Sequence, residues 1–149
     1  MTFHIRPARQ EDQEIIVSFI RQAKLNPRNL HWERFLIAEE NGQIIGIRQV
    51  KVYPQGTREV ASGFVLPEHR RRGVSARLLE ELLARENGPL YTMVSEKRTS
   101  YYERFGFRRV DVHQLPSDFH REYRIGRIVT SLMSMFRKEK VRIVPLKRG

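Results

Sequence analysis

The stretch that most constrains this chain is a strand running into a basic glycine turn and then a helix. Thr57 to Leu66 reads as a strand and stops at Pro67. Glu68-His69-Arg70-Arg71-Arg72-Gly73 follows, and then a helix whose apolar face is Leu78, Leu79, Leu82 and Leu83. Asn87-Gly88-Pro89 ends that helix. The first-turn N–H groups of a helix have no partner within it, and the helix dipole favours negative charge there. Gly73 permits a close backbone approach. Arg70 to Arg72 add positive charge. Together these features predict a cradle for an anion, and a pyrophosphate fits its size. The spacing matches neither G-x-x-x-x-G-K-[ST] nor G-x-G-x-x-G, which excludes those two phosphate-binding loops.

The 149 residues suit a single domain spanning 1–149, with 116–149 its least well-defined part. There is no cysteine. That excludes disulfide frameworks, thiolate metal sites and an acyl-enzyme on sulfur. The five histidines show no ligand spacing, so no metal is expected. No apolar run reaches membrane-spanning length and the N-terminus has no secretory pattern, so a cytoplasmic location is expected. The net charge is +11, and residues 121–149 carry +7 of it. An anionic partner follows: a phosphorylated cofactor, a nucleic acid or a lipid surface.

The remaining pattern predicts an α+β, mixed α/β fold. A strand over 2–6 ends at Pro7. A helix over Glu11 to Ala23 has Ile15, Ile16, Phe19, Ile20 and Ala23 on one face. Phe35–Glu39 and Ile44–Val52 flank Asn41-Gly42, a strong hairpin signal. With Thr57–Leu66 they form an antiparallel meander. Leu90–Val94 is a strand, Thr99–Phe105 a helix and Phe107–Val112 a strand. Ser117 is expected to cap a helix carrying Ile125, Ile128, Val129, Leu132 and Phe136. Val141–Leu146 is a last strand.

Arg70-Arg71-Arg72-Gly73-Val74-Ser75 resembles the Q/R-x-x-G-x-G/A signature of the GCN5-related N-acetyltransferases (GNAT), with Ser75 where Gly or Ala is usual. Glu59 to His69 resembles that family's fourth strand and its exit. Tyr101-Tyr102-Glu103-Arg104-Phe105-Gly106-Phe107 resembles its FYEKLGF segment, and Ile5-Arg6-Pro7-Ala8 a common opening. The resemblance covers residues 1–112. In the tail, a helix of about twenty residues lies between two strands that the family commonly places near its end.

The resemblance implies a central, mostly antiparallel twisted sheet with a splayed parallel strand pair, flanked by helices. It implies acetyl-CoA as co-substrate, held where Thr57–Leu66 and Leu90–Val94 part. Backbone groups of Phe64, Val65 and Leu66 would pair with the pantetheine arm. The turn from Arg70 through Arg71, Arg72, Gly73, Val74 and Ser75 would hold the pyrophosphate, with Val65 N–H as oxyanion donor. Ser95 stands where many members have a cofactor-touching Asn. Tyr102 aligns with a general acid and Glu59 with a general base. The implied reaction is direct acetyl transfer to a primary amine of a small molecule or a protein.

Other readings stay beside these. A phenol holds its proton more tightly than a thiol on reference values, so Tyr102 helps only where the thiolate is desolvated. Alignment makes Tyr101 the core residue of the tyrosine pair. Glu59 also reads as a surface residue paired with Arg58 or a cross-strand cation. Trp32 and His31 follow the first helix, where the family often shapes its acceptor site. A nucleic-acid-binding module and a non-catalytic CoA-binding domain are the alternatives. Nucleic acid is disfavoured, because no recognition motif accompanies the charge. The apolar stripe of the tail helix is expected to dock on the body of the domain; a peripheral membrane contact by the basic tail is disfavoured and a dimer contact is the other minority reading, so the chain is read as monomer or homodimer.

Overall fold

A computed structural model describes residues 2–135 and 141–149. Arg137, Lys138 and Lys140 of the basic tail, and Phe136, lie outside the described residues. The chain divides into two compact units, Met1–Lys51 with Val60–Asn87, and Val52–Glu59 with Gly88–Gly149.

The first unit holds β1 (His4–Pro7), α1 (Gln13–Ala23), β2 (Phe35–Glu40), β3 (Gln43–Val52, to Lys51 here), β4 (Arg58–Val65, from Val60 here) and α2 (Val74–Ala84). Its strand order is β1-β2-β3-β4. β1 and β2 pair antiparallel, as do β2 and β3. Asn41 and Gly42 have φ of 51° and 77°, so the hairpin turns through two left-handed residues as its Asn-Gly predicts. The core joins Ile16, Phe19 and Ile20 of α1 to Phe35, Ile37, Ile44, Ile47 and Phe64. α1 starts two residues later than its apolar pattern suggests. Asp12 is the cause: its carboxylate accepts Arg9 N–H (2.7 Å) and the Arg6 guanidinium (2.8 Å), tightening Gln10–Asp12 into a 3-10 turn.

In the second unit β4 contributes Arg58 and Glu59. β5 (Leu90–Ser95), α3 (Thr99–Glu103), β6 (Arg108–Arg109), α4 (Ser117–Ser134) and β7 (Ile143–Arg148) follow. The order here is β4-β5-β7-β6. Glu59 pairs in parallel with Tyr91, and β7 runs antiparallel to both β5 and β6. The fold is therefore mixed α/β, mostly antiparallel with a parallel pair, as expected. Tyr53, Tyr91, Leu115, Phe119 and Tyr123 form the second core.

Three boundaries depart from the sequence reading. The strand expected over 107–112 is only Arg108–Arg109. Val110 N–H reaches the Pro145 carbonyl (3.2 Å), but proline has no N–H to return, so the ladder ends there. α3 stops at Glu103 and is preceded by a 3-10 turn, Glu96–Arg98. The last strand is Ile143–Arg148 rather than 141–146, because its partner β5 matches Leu90 to Arg148 and Ser95 to Ile143. The helix between the last two strands is present, as expected.

Candidate active site

The anion turn lies wholly in the first unit. β4 ends at Val65, a 3-10 turn occupies Pro67–His69, and α2 begins at Val74 with Gly73 as its cap. Arg71 and Gly73 have φ of 63° and 79°. No side chain caps the helix. A Cβ on Gly73 would meet nothing within 4 Å. The glycine is thus required by conformation rather than by crowding, and the space over the turn is open. Val74 points its side chain into the core, 3.1 Å from where a Cβ on Gly46 would stand.

The three arginines of the turn differ in role. Arg70 Nε donates to the Val65 carbonyl (2.9 Å), and its guanidinium lies 5.5 Å from the Phe64 ring centre. Arg72 forks onto Glu40, at 3.1 and 2.5 Å, and also meets His69 Nδ1 (2.7 Å). Arg72 and the Thr2 hydroxyl hold the Glu40 carboxyl down at about 2. Arg71 is exposed in its left-handed conformation. Charge in the turn is therefore largely spent on holding its shape, which the sequence did not reveal.

The strand end before the turn is also specified. Leu66 N–H donates to the Ile45 carbonyl (2.9 Å), so that amide is committed to β3. Alternation along the strand turns the Val65 amide the other way. Of Phe64, Val65 and Leu66, Val65 is the residue whose backbone faces away from β3. Three residues upstream of Val65 the pleat is broken: Ser62 has φ of 59°, as at a bulge, and Gln49 Nε2 donates to its hydroxyl (2.7 Å). A Cβ on Gly63 would stand 2.8 Å from the guanidinium of buried Arg48, so that side chain would have to shift to admit one.

The acid–base candidates lie in the second unit. Glu59 is 4% exposed and accepts a 2.6 Å hydrogen bond from the Tyr53 hydroxyl. It is not a surface residue, and Tyr53 was not anticipated. Register brings the two together: Tyr53 N–H bonds the Thr57 carbonyl across the turn, which makes Tyr53 the diagonal neighbour of Glu59 on one face. Asp118 was missed as well. Its carboxylate accepts Gln55 N–H (3.0 Å), the Thr57 hydroxyl (2.6 Å) and Phe119 N–H (2.8 Å), tying the 53–57 turn to the start of α4. Burial pushes the Asp118 carboxyl up, but these hydrogen bonds outweigh it and leave it lowered. Ser117, expected as the cap, is instead the first helical residue and donates to Gln55 Oε1 (2.7 Å).

Tyr102 sits on α3 and is 4% exposed. Its ring packs edge-on against Tyr101 (5.3 Å) and Phe107 (5.9 Å). Tyr101, expected to be the core member of the pair, is the half-buried one, sandwiched by Arg98 and Arg104 at 5.2 and 4.9 Å. A five-residue helix turns one of two adjacent tyrosines inward, and Phe107 decides which. Ser95 closes β5 opposite Ile143 and precedes the Glu96–Arg98 turn. In the first unit Trp32 is half-buried against the core, its N–H bonded to Gln13 (3.0 Å), and His31 is exposed. Among the described residues, no group of three or more His, Asp or Glu could hold a metal ion.

A β4 strand that ends at an uncapped left-handed turn opening α2 agrees with what the chain resembles. Residues 31–109 match the acetyltransferase (GNAT) domain family. The chain belongs to the GNAT family. An uncharacterized N-acetyltransferase from Chlorobaculum tepidum is 27% identical over 94 residues, 62% of this chain and 61% of the relative. The N-acetylglutamate synthase of Neisseria gonorrhoeae, solved with coenzyme A and N-acetyl-glutamate, superposes with a TM-score of 0.74 at 20% identity. That match covers 99% of this chain and 35% of the synthase. Rv2747 from Mycobacterium tuberculosis, solved with CoA, gives 0.72 at 19% identity, covering 97% of this chain and 98% of that one. At these identities the likeness to solved structures is one of fold. The GNAT chain described here spans about three fifths of the curated relative and about a third of the synthase.

Proposed function

We propose that this GNAT chain is, over its whole length, an acetyl-CoA-dependent N-acetyltransferase that acts on a primary amine by direct transfer. The observation that carries the reading is the Arg70–Ser75 turn. Its left-handed Arg71 and Gly73 open an uncapped eleven-residue helix with free space above it. Those features fit a pyrophosphate held by backbone N–H groups of Arg71 to Ser75, with charge from Arg71. The CoA found in the synthase and Rv2747 structures supports the same cofactor.

Acetyl-CoA supplies a thioester carbonyl and a thiolate leaving group. The Val65 backbone, turned away from β3, holds the pantetheine arm, with the Val65 N–H stabilising the developing oxyanion. Phe64 and Leu66 shape that strand end, and Ser95 borders the cofactor. Glu59 takes the excess proton of the attacking amine, directly or through water, with Tyr53 orienting its carboxylate. Tyr102 returns a proton to the departing sulfur as the C–S bond breaks. The acceptor class, amino acid or peptide amine, is left to a screen.

Calorimetric titration with acetyl-CoA tests the cofactor site. Wild-type protein is expected to bind saturably. Gly73→Glu, which strains a left-handed position and adds negative charge, is expected to lose about a hundredfold in affinity. Absence of binding in folded wild-type protein overturns the reading.

A further inference from the structure

Helix α4 is apolar on two faces. Its inner face buries Phe119 and Tyr123 in the second core. At 100° per residue, Ile125, Ile128, Leu132 and Met135 share the opposite side, which stands exposed among the described residues. Ile128, Leu132 and Met135 are 60%, 56% and 77% exposed. Arg121 lies in line with this stripe, and Arg124 and Arg127 run along one edge. From Tyr123 to Met135 the sequence has no acidic residue. A shallow depression of about 550 Å³ joins Arg124 and Arg127 to Ile128, Ser131, Leu132 and Met135, two guanidinium groups beside an apolar floor.

We propose that this outer face of α4 rests on an anionic lipid surface. Ile128, Leu132 and Met135 enter the acyl boundary while Arg124 and Arg127 meet headgroup phosphates. Charge and shape select this occupant. In an antiparallel two-fold contact between copies, the same edge of each helix meets, so Arg124 and Arg127 would face their own copies with no carboxylate between them. A docked acidic peptide helix prefers a deep apolar groove, whereas the depression here is shallow and its apolar side chains stand exposed. Protruding aliphatic residues edged by arginine are what an interfacial helix presents to a bilayer. No helix among the described residues is long and apolar enough to cross a membrane, so contact is at the surface.

Flotation of the purified chain with phosphatidylcholine vesicles, with and without phosphatidylglycerol, tests the proposal. Binding is expected only with phosphatidylglycerol and is released by high salt. Leu132→Glu is expected to abolish it. Arg124→Gln with Arg127→Gln is expected to weaken it about twenty-five-fold, near fivefold for each arginine. Circular dichroism and acetyl-CoA titration should be unchanged in each variant, since neither touches a core or the cofactor turn. Several results overturn the proposal. They are no flotation with anionic vesicles, equal flotation with neutral ones, binding indifferent to both variants, or a dimer in light scattering that Leu132→Glu dissociates. The last result would assign the face to a second copy instead.

Discussion

The proposed anion turn and the proposed acid–base residues make opposite demands on the chain. The turn presents backbone: Arg71 and Gly73 take left-handed conformations, and two of its three arginines hold the turn rather than the space above it. Glu59 and Tyr102 present side chains, each 4% exposed, with Tyr53 bonded to the first and Tyr101 and Phe107 packed on the second. Binding built from backbone tolerates many substitutions but not a change of conformation. Chemistry built from side chains tolerates almost none, even when shape is conserved.

Tyr102→Phe draws that distinction most sharply. The ring contacts with Tyr101 and Phe107 survive and only the hydroxyl is lost. The turnover number is expected to fall about a hundredfold, the low end for a lost general acid, with the KM for acetyl-CoA within about twofold. Steady-state kinetics with release of CoA as readout checks it. An unchanged turnover number would make Tyr102 a packing residue and return the comparison to one site instead of two.

The arginines give a smaller effect. Arg71→Gln is expected to weaken acetyl-CoA binding about fivefold, a single exposed charge beside a phosphate. Arg72→Gln is expected to cost less, because its guanidinium is already forked onto Glu40. Titration calorimetry on the two variants ranks them. The reverse order would mean that Arg72 leaves Glu40 when the cofactor binds.

The smallest effect concerns pH. Arg72 and Thr2 hold the folded-state Glu40 carboxyl at about 2, below its ordinary value near 4.5. A lowered carboxylate contributes its stability above the ordinary value and loses it as pH falls toward the folded one. The Glu40–Arg72 contact is therefore expected to weaken between about 4.5 and about 2. Thermal melts of wild-type protein should lose part of their midpoint over that window, and Glu40→Gln should flatten that part.

Local signals were legible where geometry and chemistry are both local. Asn41-Gly42 announced its hairpin, and Pro67 to Gly73 announced the end of a strand and the start of a helix. The helix between the last two strands followed from its apolar spacing. What was not legible depended on register or on a distant partner. Tyr53 meets Glu59 only because the 53–57 turn places them diagonally. Asp118 closes on that turn from sixty residues away. β6 is two residues long because Pro145 lies next in its partner's ladder.

The sequence by itself determined the strand–turn–helix, its left-handed glycine and the family it resembles, because each depends on neighbours within a dozen residues. Tertiary structure alone decided which tyrosine turns inward, that Glu59 is buried, that Arg72 answers Glu40, and that α4 keeps an uncovered apolar face. Periodicity tells which residues share a face. It does not tell whether another part of the chain arrives to cover it, since that depends on contacts between segments far apart in sequence.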